Sequence, residues 1–136
     1  MTFTAKAAKI AKDENELSRS ILDAAFRVHS ALGPGLLEGA YEACLAYELR
    51  AEGFRVLTQV PLPLVYREVR LDVGYRLDLV VEELVVVEIK SVDSLAAIHQ
   101  AQLLSYLKLS EKRLGLLINF NVVRLKDGIK RLVNGL

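Results

Sequence analysis

The chain has 136 residues, 52% of them hydrophobic and 26% charged, and 18 Lys and Arg against 17 Asp and Glu leave a formal net charge of +1. That length suits one domain with a buried core, and the apolar content argues against disorder. Near-balanced charge is a poor footprint for tight, non-specific nucleic-acid binding, although a local basic strip around a cleft stays open. Cys44 is the only cysteine, so neither an intramolecular disulfide nor a thiolate zinc cluster can form, which suits a reducing cytoplasm.

In chain order, residues 1–12 read as a mobile N-terminal lead to a single domain. The opening stretch MTFTAKAAKIAKDENE carries lysines but no continuous apolar run, so it does not read as a secretory signal. No later apolar run approaches a membrane span. From Asp13, residues Leu17, Ile21, Leu22, Ala25, Val28 and Leu32 recur at helical spacing, and Asp13 with Glu16 resembles a capping box. Gly33-Pro34-Gly35 ends that helix at a sharp corner. A second helix is predicted from about Leu36 to Ala51, with Cys44 as small core filler and Gly53 as the stop.

Phe54–Leu57 and Leu62–Tyr66 are strand-like, and Pro61 and Pro63 place that stretch at an edge or bend, because proline cannot donate to a ladder. Val73–Val81 and Leu84–Ile89 form the strongest predicted strand pair, joined across Glu82-Glu83. The Leu-Val-Val-Val run of the second is expected of a strand covered on both faces. A third helix is expected over about Ser94–Leu109, then a buried strand Leu114–Phe120 and a tail mixing Arg124, Lys126, Lys130 and Arg131 with Val and Leu.

The residues richest in chemistry are Asp78 and the run Glu88-Ile89-Lys90. Strand side chains alternate, so Glu88 and Lys90 share a face, and Asp78 can approach Glu88 if the two strands pair. Two carboxylates and a backbone carbonyl make a hard oxygen site suited to Mg²⁺ or Mn²⁺, which would polarise a phosphodiester oxygen and acidify a water. Lys90 would orient that water or offset developing charge. The plainer alternative is a solvated E-x-K at a strand end, with Asp78 capping a strand or pairing with Arg76. Position favours the first: the pair follows a buried run, at the strand end where α/β sheets place ligands.

On the third helix, Gln102 and Tyr106 are four apart and share a face, with His99 near the same stripe. They would hold a water or a phosphate oxygen if that face meets the carboxylates; otherwise Tyr106 packs among Leu103, Leu104 and Leu107. Glu38 and Tyr41 lie near the start of the second helix, where a glutamate also gains from the helix dipole. His29 reads first as a residue favoured near a helix C-terminus.

Together these pieces resemble the GxxExxY family, small proteins placed in the PD-(D/E)XK nuclease superfamily. Gly35-Leu36-Leu37-Glu38-Gly39-Ala40-Tyr41 matches the naming motif, and Tyr75–Asp78, Val87–Lys90, Gln102 with Tyr106, Gly115–Phe120 and Lys126–Arg131 resemble further blocks. The resemblance covers roughly residues 14 to 133. It implies an α/β fold with a restriction-endonuclease-like core: a mixed central sheet flanked by helices, in αβββαβ order. It also implies that Asp78, Glu88 and Lys90 form the catalytic motif, with Gln102 and Tyr106 as the Q-x-x-x-Y element of the RecB-like branch. Glu38 becomes the extra acidic residue, so the implied metal ligands are Glu38, Asp78 and Glu88. Leu77 stands where a proline usually precedes the first aspartate.

The activity so implied is Mg²⁺- or Mn²⁺-dependent phosphodiester hydrolysis in DNA, with single-stranded, branched and terminal DNA as candidate substrates. The alternatives are a non-catalytic or accessory module that binds nucleic acid or protein, and a toxin–antitoxin or mobile-element component. A lone domain of this size would need a homodimer or a protein partner to grip a long duplex.

Overall fold

A computed structural model of the protein describes residues 13–136; the lead expected over residues 1–12 lies outside them. Helix α1 (Glu14–Leu32) starts on Asp13, whose carboxylate accepts from the backbone N–H of Asn15 at 2.8 Å and of Glu16 at 3.3 Å. Those donors would otherwise be unpaired at a helix start. Leu17, Ile21, Ala24, Ala25 and Val28 form its buried face.

The corner after α1 requires its glycines, with φ +66° at Gly33 and +102° at Gly35, a region that side chains with a Cβ rarely enter. Tyr41, on helix α2 (Glu38–Ala51), holds this corner closed. Its hydroxyl donates to the Gly33 carbonyl at 2.6 Å and accepts from the Leu36 N–H at 3.1 Å, and its buried ring stacks on Phe120 at 4.6 Å. Helix α2 begins at Glu38 and not at Leu36 because Leu37 keeps an extended backbone as the N-cap, and the Leu36 N–H, outside the helix, is paired by Tyr41. His29 does more than sit near a helix end, since its Nε2 donates to the Val122 carbonyl at 2.8 Å and ties α1 to the segment after the last buried strand.

Seven strands follow: β1 (Val56–Pro61), β2 (Leu64–Tyr66), β3 (Val69–Leu71), β4 (Arg76–Val81), β5 (Val85–Lys90), β6 (Leu114–Asn119) and β7 (Ile129–Val133). Helix α3 (Ala97–Ser110) lies between β5 and β6, and a 3-10 turn, Leu125–Gly128, precedes β7. The main sheet has the order β1-β4-β5-β6-β7, and within it only the β5–β6 pair is parallel, with α3 as its crossover. This mixed sheet with helices on both faces is the restriction-endonuclease-like arrangement expected. β1 is an edge strand and ends on Pro61, as proline requires.

Two strands were not predicted. β3 pairs with β2 in a separate hairpin whose turn, Arg67-Glu68, has φ +49° and +70°; neither residue is a glycine or asparagine, so the usual turn signal is missing. β7 pairs antiparallel with β6 from a tail whose mixed polar and apolar residues suit an edge. The predicted strand from Val73 starts only at Arg76, after Gly74 at φ +81°.

α1 and α2 cover one face of the sheet, where Leu79, Val81, Val85, Val87, Leu116 and Ile118 join their core. α3 covers the other, where Leu103, Tyr106 and Leu107 pack on Leu77, Val80, Val86 and Leu117. The Val-rich run of β5 is thus buried from both sides, as its composition predicts. At the exit of β5, buried Asn119 accepts from the Val92 N–H at 3.1 Å and donates to the Val92 carbonyl at 2.9 Å, fixing the segment that follows Lys90. Among the described residues, no helix is long and apolar enough to cross a membrane.

The corner lock is directly testable. Tyr41→Phe keeps the stacked ring but removes the hydroxyl that pairs two backbone groups, and should cost about 1–3 kcal/mol of stability. Thermal unfolding would show it as a lowered Tm; an unchanged Tm would mean the hydroxyl does not hold the corner.

Candidate functional site

The antiparallel ladder between β4 and β5 runs Val81↔Val85, Val80↔Val86 and Leu79↔Val87, and stops there. The next positions in that register are Asp78 and Glu88. Each side chain here takes a backbone donor of the opposite strand: the Asp78 N–H donates to Glu88 Oε1 at 3.2 Å, and the Ile89 N–H donates to Asp78 Oδ2 at 2.8 Å. The two strands splay where the acids meet, and crossed carboxylate–amide bonds replace the ladder. Asp78 is half-buried and Glu88 only 6% exposed.

The β1–β4 pairing has a matching irregularity. It runs Thr58↔Leu79 and resumes at Val60↔Leu77, leaving Gln59 opposite Asp78, and Gln59 has φ +52°. Leu77 and Leu79, two apart, belong to opposite core faces. Strict strand alternation would put them on one face, so the inside–outside pattern slips at Asp78. The consequence is that Asp78 can be addressed from both sides of the sheet.

From the α3 side, Gln102 Nε2 donates to the Tyr106 hydroxyl at 3.0 Å. That hydroxyl is held above its ordinary pKa by burial first and then by the Glu88 charge, with Asp78 adding to the effect. Lys90, Gln102 and Tyr106 line one open cleft, and the Lys90 charge acts on Glu88 in the direction that favours the carboxylate. His99 lines the cleft too, but its Nδ1 accepts from the Ala96 N–H at 3.0 Å and serves as a cap for α3.

From the α2 side come two residues that sequence reasoning missed. Gln59 Nε2 donates to Glu42 Oε1 at 2.6 Å and to Asp78 Oδ1 at 3.4 Å, so one amide bridges two carboxylates. Glu42 is raised in pKa by burial, against the opposing hydrogen bond from Gln59, with smaller contributions from the Asp78 and Glu38 charges. Glu42 had a usable signal, being four residues after Glu38 on one helix face. Gln59 had none until the β1–β4 register was known. Glu38 is the exposed first residue of α2, and its charge acts on Glu42. Among the described residues, no three His, Cys, Asp or Glu side chains converge as one metal-holding group. Asp78, Glu88, Lys90, Gln102 and Tyr106 come together, while Glu38 is not brought into a three-ligand set with Asp78 and Glu88.

A family model described as the PD-(D/E)XK nuclease superfamily matches residues 15–132, nearly the whole chain. No curated protein and no solved structure gives a significant match. Nucleases of that superfamily generally use divalent metal ions, and the donor chemistry here fits one. Asp78 and Glu88 supply adjacent hard oxygen donors, and magnesium is commonly held by one or two carboxylates, with water and substrate phosphate completing its shell.

The Glu88 carboxyl is pushed up to about 8 by burial first and the Asp78 charge second, against opposing effects from the Asp78 backbone and Lys90. An acid whose pKa is higher folded than unfolded contributes fully below its unfolded value, and that contribution fades as pH rises towards the folded value. Metal-free protein should therefore lose thermal stability between about pH 4.5 and pH 8. Glu88→Gln should flatten that decline in Tm-versus-pH scans in chelator; a wild-type decline retained in full by the variant would contradict the assignment to Glu88.

Proposed function

The chain belongs to the PD-(D/E)XK nuclease superfamily, and on that premise we propose that it is a Mg²⁺- or Mn²⁺-dependent nuclease hydrolysing phosphodiester bonds in DNA. The observation that carries this reading is the crossed Asp78–Glu88 pair beside Lys90, two acids held against each other in a partly buried site. Burying like charges together is costly, a cost the metal-free site meets by keeping a proton on Glu88 and that a bound cation would offset instead. The GxxExxY resemblance extends the reading to a subfamily, with Gln102 and Tyr106 as its Q-x-x-x-Y element.

Asp78 and Glu88 would hold the metal, which when bound supplies polarisation of a phosphodiester oxygen and a lower pKa for water. Lys90, next to Glu88, would orient the attacking water and offset charge as it develops on the phosphate. The Tyr106 hydroxyl accepts from Gln102, leaving its own proton free for a phosphate oxygen. A phenol keeps that proton at neutral pH, and the upward shift of the Tyr106 hydroxyl acts in the same direction. Glu38 and Glu42 add negative charge on the α2 side of Asp78, and Gln59 would fix the orientation of Asp78. A cytoplasmic setting, and a homodimer or protein partner to help grip long DNA, belong to the same proposal.

A second reading, an accessory module that keeps the fold and binds nucleic acid or protein without cutting, is favoured by the near-balanced charge. It also draws on the lack of a three-ligand group among the described residues. Purified protein given varied DNA and RNA with Mg²⁺ or Mn²⁺ separates the two. Nuclease action predicts cleavage that chelator abolishes and that Glu88→Ala and Lys90→Ala each reduce by about 100-fold or more. Cleavage that survives both variants would belong to a contaminant, and no cleavage at all would favour the accessory reading.

A further inference from the structure

The cleft beside Lys90 is larger and more apolar than contact with a phosphate requires. It encloses about 620 Å³, within the roughly 300–1,000 Å³ usual for ligand sites. Besides Lys90, Gln102 and Tyr106, its lining includes Leu64, Tyr75 and Ile98. Tyr75 is 41% exposed and Ile98 70% exposed. The Tyr75 ring is tilted 47° against Tyr106 with centroids 5.7 Å apart. An aromatic platform thus continues from the reacting groups into open, apolar space.

Its charge narrows the occupant. Among the described residues lining the cleft, Lys90 is the only lysine or arginine. A duplex hides the faces of its bases and is gripped through its phosphates, which takes several cations. An unpaired strand exposes base faces, and these stack on aromatic side chains whatever the sequence. We propose that this cleft seats an unpaired base of a single-stranded polynucleotide against Tyr75, with Ile98 and Leu64 as apolar walls, while the adjoining phosphodiester meets Lys90 and the two carboxylates. The inference rests on the nuclease reading for the phosphodiester, but the base site stands on its own contacts.

Binding measured without turnover keeps the two apart. Labelled oligo-dT, oligo-rU and a blunt DNA duplex are titrated with the full chain in chelator, followed by fluorescence anisotropy, and the same substrates are then offered with Mg²⁺ or Mn²⁺. The base site predicts single strands bound about tenfold or more tighter than duplex. It predicts a loss of about fivefold or more for Tyr75→Ala, retention for Tyr75→Phe, and weakening by Ile98→Ser at an exposed position where folding is not at stake. Tyr47→Ala, an exposed tyrosine on α2 that lines a different cavity, should leave binding unchanged. Duplex bound as tightly as single strand, single-strand binding too weak to measure, or indifference to both Tyr75→Ala and Ile98→Ser overturns the proposal. Single-strand binding without cleavage of any substrate would overturn the nuclease reading and leave the base site standing.

Discussion

At one level of the sheet, β4 and β5 stop pairing backbone to backbone, and the Asp78 and Glu88 side chains take over by accepting from the Asp78 and Ile89 N–H groups. Buried backbone donors must be paired somewhere. Here the pairing is done by two acids, which ties each carboxylate to the opposite strand where the ladder ends. Other irregularities gather at the same level. The face on which residues point slips between Leu77 and Leu79, the edge strand bends at Gln59 to match, and Asp78 becomes reachable from both helical layers.

The two layers then differ in what they bring. α3 contributes hydrogen-bonding and aromatic groups, Gln102 and Tyr106, beside an open cleft that also holds Lys90. α2 contributes negative charge, Glu38 and Glu42, linked to Asp78 through the amide of Gln59. Lys90 and the aromatic cleft thus lie on the α3 side and extra acid on the α2 side, an asymmetry that an overall charge of +1 conceals. The Gly33–Gly35 corner, locked by Tyr41, sets where α2 starts and so where its acids stand relative to the sheet.

Much of this was legible in the sequence because strong local rules coincided. The apolar period and the Asp13 cap marked α1, the Val-rich run marked a doubly covered strand, and the spacing of Glu88 and Lys90 placed both on one face. Less was legible where structure depends on pairing. Arg67-Glu68 carries no turn signature, so the β2–β3 hairpin went unseen, and the mixed tail became β7 only because β6 offered it an open edge. Gln59 gained meaning only from its place opposite Asp78, which no pattern within β1 reveals. The Tyr41 of the GxxExxY pattern turned out to hold a corner, whereas the chemical interest of that helix passes partly to Glu42, one turn beyond Glu38.

Asp78 and Glu88, held against each other, are proposed to bind a divalent cation. Isothermal titration of Mn²⁺ into metal-free protein tests this directly, with Asp78→Asn and a folding check by circular dichroism alongside. Cation binding by this pair predicts a site in the wild type that Asp78→Asn loses or weakens by at least about tenfold, on the scale of a lost charged ligand. Absence of binding to folded wild-type protein at millimolar Mn²⁺, or equal binding by folded Asp78→Asn, would contradict it.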